Sequence, residues 1–488
     1  MIKLRNMKNK KFFFPFLISI FLLAGCSSDD DAIETDPGNG TVDPPPITGE
    51  PLNLADYDNG SGVMMQGFYW DVEPRHEWWE ELTTKVEGWA DAGVNRVWLP
   101  PASKGQSGGY SMGYDPSDYF DLGEYDQHST VETRFGSRAE LDALIETAHA
   151  NGLEVIADIV LNHNSGGGLE FNPYRGYDTY TLFNEEHGNA SGKFNRDYEN
   201  FYPNSTSPYD DGSLFYEETN LDHNQEYVQN WLWAADYSVA NYYKNEVGFD
   251  GWRFDYVLGF EPWVVKAWLN EVGGFAVAEL WDSNVQVLEN YIEETGSRVF
   301  DFSTFYKLDE AFDRYDDLTY LTNDMLWMTN PDKAVTFTAN HDTEKDENEN
   351  NFISKEHKLQ AYAFILTHPG YPTIFYSDYE NEEFKNQLQQ LILINNTIAT
   401  GDVEVLYVDD DEYIMKRART PSSPGLILYL NTTGNAKIKE NIDTDWNQAK
   451  LMDYSGNIDY SPVTDQDGNV SLRAPANGYA VYSIMKEE

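Results

Sequence analysis

Short apolar runs alternate with amphipathic stretches from residue 63 to residue 398. V-M-M-Q-G-F-Y-W (63–70), R-V-W-L-P (96–100) and L-E-V-I-A-D-I-V-L-N (153–162) have the length of strands and little polar interruption. Such runs suit parallel strands covered on both faces. Between them lie a helix beginning W-W-E-E-L (78–82) and a helix near 137–151. The second stops at Asn151-Gly152, a good C-terminal signal. After a helix around 225–245 the alternation resumes with strands at 251–255, 275–280, 298–302, 333–340 and 373–376. Helices at 261–272, 284–295, 305–313, 355–368 and 382–398 follow them. Repeated strand–helix units predict an α/β fold with a parallel sheet, and eight units predict a closed (β/α)8 TIM barrel.

Two stretches break the rhythm. Residues 164–222 are rich in Asn, Gly, Asp, Tyr and Ser and show little periodicity. A structureless loop of that length is uncommon in a compact domain, so a small inserted domain is expected after strand three. From residue 401 to 488 the pattern turns to short alternating strands such as Y-I-M-K (413–416), G-L-I-L-Y-L (425–430) and Y-A-V-Y-S-I (479–484). They predict a C-terminal antiparallel β-sandwich domain. The barrel is then expected in two parts, 51–163 and 223–400.

The first 50 residues have another character. Lys3, Arg5, Lys8, Lys10 and Lys11 precede an apolar run at 12–23, and L-A-G-C ends at Cys26, the chain's one cysteine. A basic start, an apolar middle and small residues before a cut site describe an export signal over 1–25. L-A-G-C resembles a bacterial lipobox, which implies a lipid on Cys26. The acidic run S-S-D-D-D that follows looks like a surface-export tag of outer-membrane lipoproteins. Residues 26–50, with P-P-P at 44–46, read as a disordered tether. Exported protein anchored at the outer membrane, on the cell surface, is the expectation.

The net charge of −50 sets the class of partner. Such a surface repels nucleic acid and other anionic polymers and suits a neutral substrate. Aromatic residues make up 15% of the chain, with 13 Trp and 33 Tyr. Such rings fill cores and also stack on sugars.

Barrels of this kind carry their chemistry at the C-terminal ends of the strands. Strand three ends with Asp158, Asn162 and His163, strand four with Arg253 and Asp255, strand five with Glu279, strand seven with His341 and Asp342. One acid inside an apolar run is easily structural, but several converging on one cup are costly as core. A divalent-metal cluster is the competing explanation, and Arg253 argues against it because a guanidinium repels a metal. Two carboxylates flanking a bond are what glycoside hydrolysis requires. Asp255 suits the ionised nucleophile, with Arg253 favouring its charge. Glu279, set among apolar residues, suits the proton carrier. Asp342, with His341, suits binding of sugar hydroxyls.

D-I-V-L-N-H, G-W-R-F-D, A-E-L-W and T-A-N-H-D, in this order, resemble the four signature regions of the family 13 glycoside hydrolases, the α-amylase family. G-V-N-R-V-W-L-P-P (93–101) and G-Y-P-T-I-F-Y (370–376) look like two further regions. Y-S-M-G-Y-D-P-S-D-Y-F-D-L-G-E-Y-D-Q (110–127) and V-E-T-R-F-G-S (131–137) look like its archaeal and plant branch. The resemblance spans about 55–488. It implies retaining endo-hydrolysis of α-1,4-glucosidic bonds in starch, amylose and related α-glucans. In it Asp255 is the nucleophile, Glu279 the general acid/base and Asp342 the transition-state stabiliser. It implies that His163 and His341 hydrogen-bond the sugar, that Tyr114 stacks on it, and that Asp115 supports the site. It also implies Ca2+ where the insertion meets the barrel, held by Asn162, Asp211, Asn220 and the carbonyls of Ser213 and Gly259. Asn220 stands where relatives commonly carry Asp, which weakens that site unless Asp222 moves in. Leu258 stands where many relatives carry Lys or His, which loosens the leaving side.

The expected partners are an α-glucan polysaccharide and, only through the Cys26 lipid, a membrane; the protein is expected to be a monomer. Glucosyl transfer to another sugar is one alternative. A lipoprotein that binds starch without cutting it is the other, and it would be marked by a lost carboxylate. Trp446 and Tyr454 are candidates for a starch platform in the C-terminal domain, though core packing is the commoner use of such rings.

Overall fold

A computed structural model describes residues 49–209, 215–344 and 352–487. Residues 1–48, with the export signal, Cys26 and most of the tether, lie outside the described residues, as do Asp211 and Ser213.

Eight parallel strands close into a barrel: β1 (Val63–Gln66), β2 (Val94–Trp98), β3 (Glu154–Ile159), β4 (Gly251–Phe254), β5 (Phe275–Ala278), β6 (Arg298–Phe300), β7 (Ala334–Thr336) and β8 (Tyr371–Phe375). They run around the barrel in chain order, with β8 pairing β1. β1, β4 and β5 are buried at every position, which explains their near-continuous apolar sequences. Register decides what meets at the mouth. Asp158 of β3 lies opposite Arg253 of β4, and Arg253 lies opposite Val277 of β5. The ladder continues past the strand ends. Asp255 N donates to Ile159 O (3.0 Å) and Glu279 N to Phe254 O (3.0 Å). Both carboxylates are thereby set just beyond the C-terminal ends of their strands.

Local chemistry shifts several boundaries. The strand expected at 333–340 ends at Thr336. Beyond it Asn340 Oδ1 accepts from the N–H groups of Asp342 (2.9 Å) and Thr343 (3.0 Å), and this turn carries Asp342 into the mouth. The helix expected around 225–245 is broken into short α and π-helical turns. Ser238 interrupts it by capping a new turn, its Oγ accepting from Asn241 N at 3.3 Å. The helix Arg138–Ala150 forms as its sequence demands, with Ser137 and Glu140 making a reciprocal cap.

The segment between β3 and the return to the barrel contains one antiparallel hairpin, Gly168–Asn172 with Tyr177–Leu182. It is laced to the barrel beside the site, with Leu221 N donating to Asn162 O (3.0 Å) and Asn164 N to Thr219 O (3.1 Å).

The C-terminal domain has a five-stranded antiparallel sheet. β9 (Val403–Val408), β10 (Glu412–Arg417), β11 (Leu426–Asn431), β13 (Leu451–Asp453) and β15 (Gly478–Ile484) lie in the order β9-β10-β11-β15-β13. A ribbon of β12 (Lys437–Asp443) and β14 (Asn469–Ala474) packs over it, and Ile427, Tyr429, Ile442, Trp446 and Leu472 share one buried core. Trp446 and Tyr454 are core residues. Trp446 Nε1 donates to Pro424 O (2.9 Å) and the Tyr454 hydroxyl to Ile484 O (2.8 Å), so neither ring offers a starch platform.

Candidate active site

Arg253 organises the floor of the barrel mouth. Its guanidinium is fully buried and meets three carboxylates. Nη1 donates to Asp158 Oδ1 (2.9 Å) and to Asp255 Oδ1 (2.8 Å), and Nη2 donates to Glu279 Oε1. The far sides of Asp158 and Glu279 are held as well. Asp158 Oδ2 accepts from Trp98 Nε1 (3.0 Å) and the Tyr114 hydroxyl (2.8 Å). Glu279 Oε2 accepts from Tyr256 N (3.0 Å), and Tyr256 takes a left-handed backbone, φ 42°, to present that N–H.

One guanidinium does not neutralise three acids. Burial drives the Asp255 carboxyl well above the usual carboxylate range; Arg253 pulls it down, but Glu279 and Asp158 push it further up. Arg253 favours the charged form of Asp255, as expected, and does so against burial and two neighbouring anions. Burial likewise lifts Asp158 to about 6 against the opposing pull of Arg253. Asp342, whose side chain is 39% exposed, opens onto the cleft. Its Oδ2 lies 3.2 Å from His341 Nε2.

The histidines are neutral. Burial lowers His341 to about 3 and His163 to about 4. Gln66 Nε2 donates to His341 Nδ1 (3.0 Å), which leaves the ring proton on Nε2, toward Asp342. His163 lines the cleft, yet both of its nitrogens have protein partners. Nε2 donates to the Tyr114 carbonyl (2.9 Å) and Nδ1 accepts from Asn162 Nδ2 (3.1 Å). The ring of Tyr216 stacks on it at 4.1 Å.

Asp255, Glu279, Asp342 and the two histidines line a cleft of about 680 Å³, which also takes in Trp70, Tyr114, Asp115, Phe215, Tyr216 and Trp281. The rings of Trp70, Tyr114 and His341 lie within 16° of parallel, with centroids 5.2–6.0 Å apart. They give the cleft a flat aromatic wall of the kind a sugar ring packs against. Asp115 accepts from Ser107 N (2.9 Å) and Oγ (2.7 Å) and from Ser111 Oγ, so it ties down the loop behind Tyr114. The structure thus brings together Tyr114, His163, Arg253, Asp255, Glu279, His341 and Asp342. Gln66, Trp70 and Trp98 join them unpredicted, because a single polar or aromatic residue in a strand carries no signal of its own. Asp158 showed as a strand-end acid, but not its pairing with Arg253.

Of the expected calcium ligands, the structure places Asn162, Asn220 and Gly259 side by side. Asn162 Nδ2 lies 3.4 Å from Asn220 Oδ1, and a Cβ at Gly259 would fall 2.1 Å from Asn162 Oδ1, so only glycine lets the chain approach there. Amide and carbonyl oxygens are the hard donors calcium takes, and these residues fit it in kind. Asp222 is engaged in hydrogen bonds of its own. It accepts from Asn204 Nδ2 (2.9 Å) and Asn224 N (3.1 Å), and although burial pushes its pKa up, these donors hold it below the usual range.

Comparison with known proteins agrees with this geometry. Residues 79–262 match the family model of the α-amylase catalytic domain, and residues 426–483 match that of the α-amylase C-terminal domain. A glucan 1,4-α-maltohexaosidase of Bacillus sp. strain 707 is 30% identical over 395 residues, covering 68% of this chain and 74% of that protein. A probable α-amylase 2 of Arabidopsis thaliana is 30% identical over 394 residues, covering 73% of this chain and 86% of that protein. The chain belongs to the α-amylase family. A cytoplasmic α-amylase of Escherichia coli K12, 28% identical, matches over 86% of this chain and 98% of its own length. The α-amylase of Geobacillus thermoleovorans, solved with acarbose, shares the fold, with a TM-score of 0.66 at 18% identity over 88% of this chain and 99% of that one. The α-amylase-family assignment makes this chain a glycoside hydrolase.

The electrostatics give a test. Asp158 raises Asp255, so Asp158→Asn removes an anion and lets Asp255 ionise at lower pH. A raised carboxyl loses its charge as pH falls through its pKa, so the acid limb of kcat/KM reports it. That limb should sit above pH 3.8 in the parent and move downward in Asp158→Asn; an unmoved limb would refute the coupling.

Proposed function

We propose that Asp255, Glu279 and Asp342 carry out retaining endo-hydrolysis of α-1,4-glucan in this cleft. The observation that carries it is that Asp255 and Glu279 bond the two terminal nitrogens of one guanidinium, which supports the close pairing of carboxyl groups that a retaining mechanism uses. In the first step Asp255 Oδ attacks the anomeric carbon as its bond to the glycosidic oxygen breaks. Glu279 gives that oxygen its proton. In the second step Glu279 takes a proton from water, the hydroxide adds to the anomeric carbon, and the ester to Asp255 breaks. Asp342 and the His341 Nε2–H hold sugar hydroxyls, and the wall of Trp70, Tyr114 and His341 positions the ring. His163 acts by bracing Tyr114 and Tyr216. The relatives named for amylase and maltohexaosidase activity point to the same substrate class.

The segments 110–127 and 131–137 support a place in the archaeal and plant branch of the family. Calcium would be held by Asn162, Asn220 and the Gly259 carbonyl, joined by Asp211 and Ser213; it would supply charge that braces the insertion against the barrel. The export signal and Cys26 support a lipid anchor at the outer membrane, on the cell surface.

Asp255→Asn and Glu279→Gln should each lower kcat on amylose by on the order of 10³-fold or more. Proton NMR should show early products as α-anomers; early β-anomers would refute retention. Chelation with EGTA should lower Tm, and calcium should restore it; an unchanged Tm would remove the metal from the account. Cys26→Ser should release the protein from the membrane fraction and abolish labelling by radioactive palmitate, and a labelled variant would disprove the anchor.

A further inference from the structure

The hairpin of the insertion is inside out. Its inward positions are polar. Thr179, Thr181 and Asn172 are fully buried, and Glu170 Oε1 accepts from Thr181 Oγ1 (2.7 Å) and Tyr198 N (2.7 Å). Its outward face carries Leu169, Phe171 and Tyr180, which are 55%, 60% and 57% exposed, beside the exposed carboxylate of Asp178. A hairpin on a soluble surface normally shows the opposite alternation. Phe171 pairs with Asp178, so Tyr180 lies diagonally across from Phe171 on the same face, within reach of a shared ligand.

Three observations identify the occupant. The hairpin is continuous with the cleft. At its tip Arg175 Nη2 donates to the carbonyls of Glu217 (2.5 Å) and Tyr202 (3.1 Å), and Glu217 follows Tyr216, which stacks on His163 in the cleft wall. The charge of −50 disfavours an anionic lipid or polymer and leaves neutral polyols acceptable. The patch is also small. Three half-exposed side chains offer about 300 Å², short of the roughly 800 Å² per partner of a stable protein interface. Flat rings flanked by carboxylates are how proteins hold sugar rings and their hydroxyls.

We infer that the outer face of this hairpin is a second α-glucan site, outside the catalytic cleft, that holds polymer while the cleft cuts it. The inference rests on the α-glucan specificity proposed above. The test is the variant Leu169→Ser/Phe171→Ser/Tyr180→Ser, made in the chain from residue 51 onward, with Tm confirming that it folds. Retention on insoluble starch granules should fall about ten-fold or more, and granule hydrolysis with it, while kcat/KM on soluble maltoheptaose stays unchanged. Unchanged granule retention would overturn the inference. So would loss of self-association in ultracentrifugation, or loss of binding to zwitterionic vesicles, with granule retention intact; these would assign the face to a second copy or to lipid. Failure of the parent to cleave maltoheptaose would instead sink the proposed activity.

Discussion

The buried Arg253 guanidinium is the constraint around which the mouth of the barrel is built. Removing one partner from a buried ion pair costs about 3–5 kcal/mol, and here one cation serves three anions. Arg253 is the member that cannot leave without stranding the others, since all three acids are paired through it. The parallel register of β3, β4 and β5 holds Asp158, Arg253 and Glu279 on adjoining strands, so the geometry is set by the sheet and not by a loop. Charge that is unfavourable for stability is therefore kept in place by backbone hydrogen bonds, which cost the site nothing to reorganise.

Around that floor, each wall is fixed by a contact to it. Tyr114 bonds Asp158, His163 bonds the Tyr114 carbonyl, and Asn162 bonds His163. The chain of contacts runs without a break from the guanidinium to the junction with the insertion.

How much of this the sequence disclosed depends on whether a residue's role shows in its neighbours along the chain. Asp255, Glu279 and Asp342 stood out because each is an acid at the end of an apolar run. The barrel was legible because period and length repeat eight times. Asp158 as a partner of Arg253, Gln66 as a donor to His341 and Trp98 as a donor to Asp158 depend on register between strands, which no single segment encodes. The upward shift of Asp255 was hidden for the same reason: the motif shows one cation two residues away, while the burial that raises the carboxyl, and the anions that add to it, come from packing against other strands. Trp446 was ambiguous because an aromatic residue reads alike in a core and on a platform. The insertion hairpin escaped notice because its alternation is ordinary until the buried face is known.

The arrangement also places a demand on Glu279. Both of its oxygens accept hydrogen bonds, one from Arg253 Nη2 and one from Tyr256 N. Each oxygen still has a second lone pair for a proton, so the acid form must carry its proton in a direction that neither donor occupies. Tyr256 is the weaker hold, since its N–H is presented by a left-handed backbone that a tyrosine adopts only at a cost of about 1–3 kcal/mol. The orientation of the acid is thus set by one guanidinium and one strained peptide, and the aromatic wall seats substrate against a carboxyl whose direction the floor has already fixed.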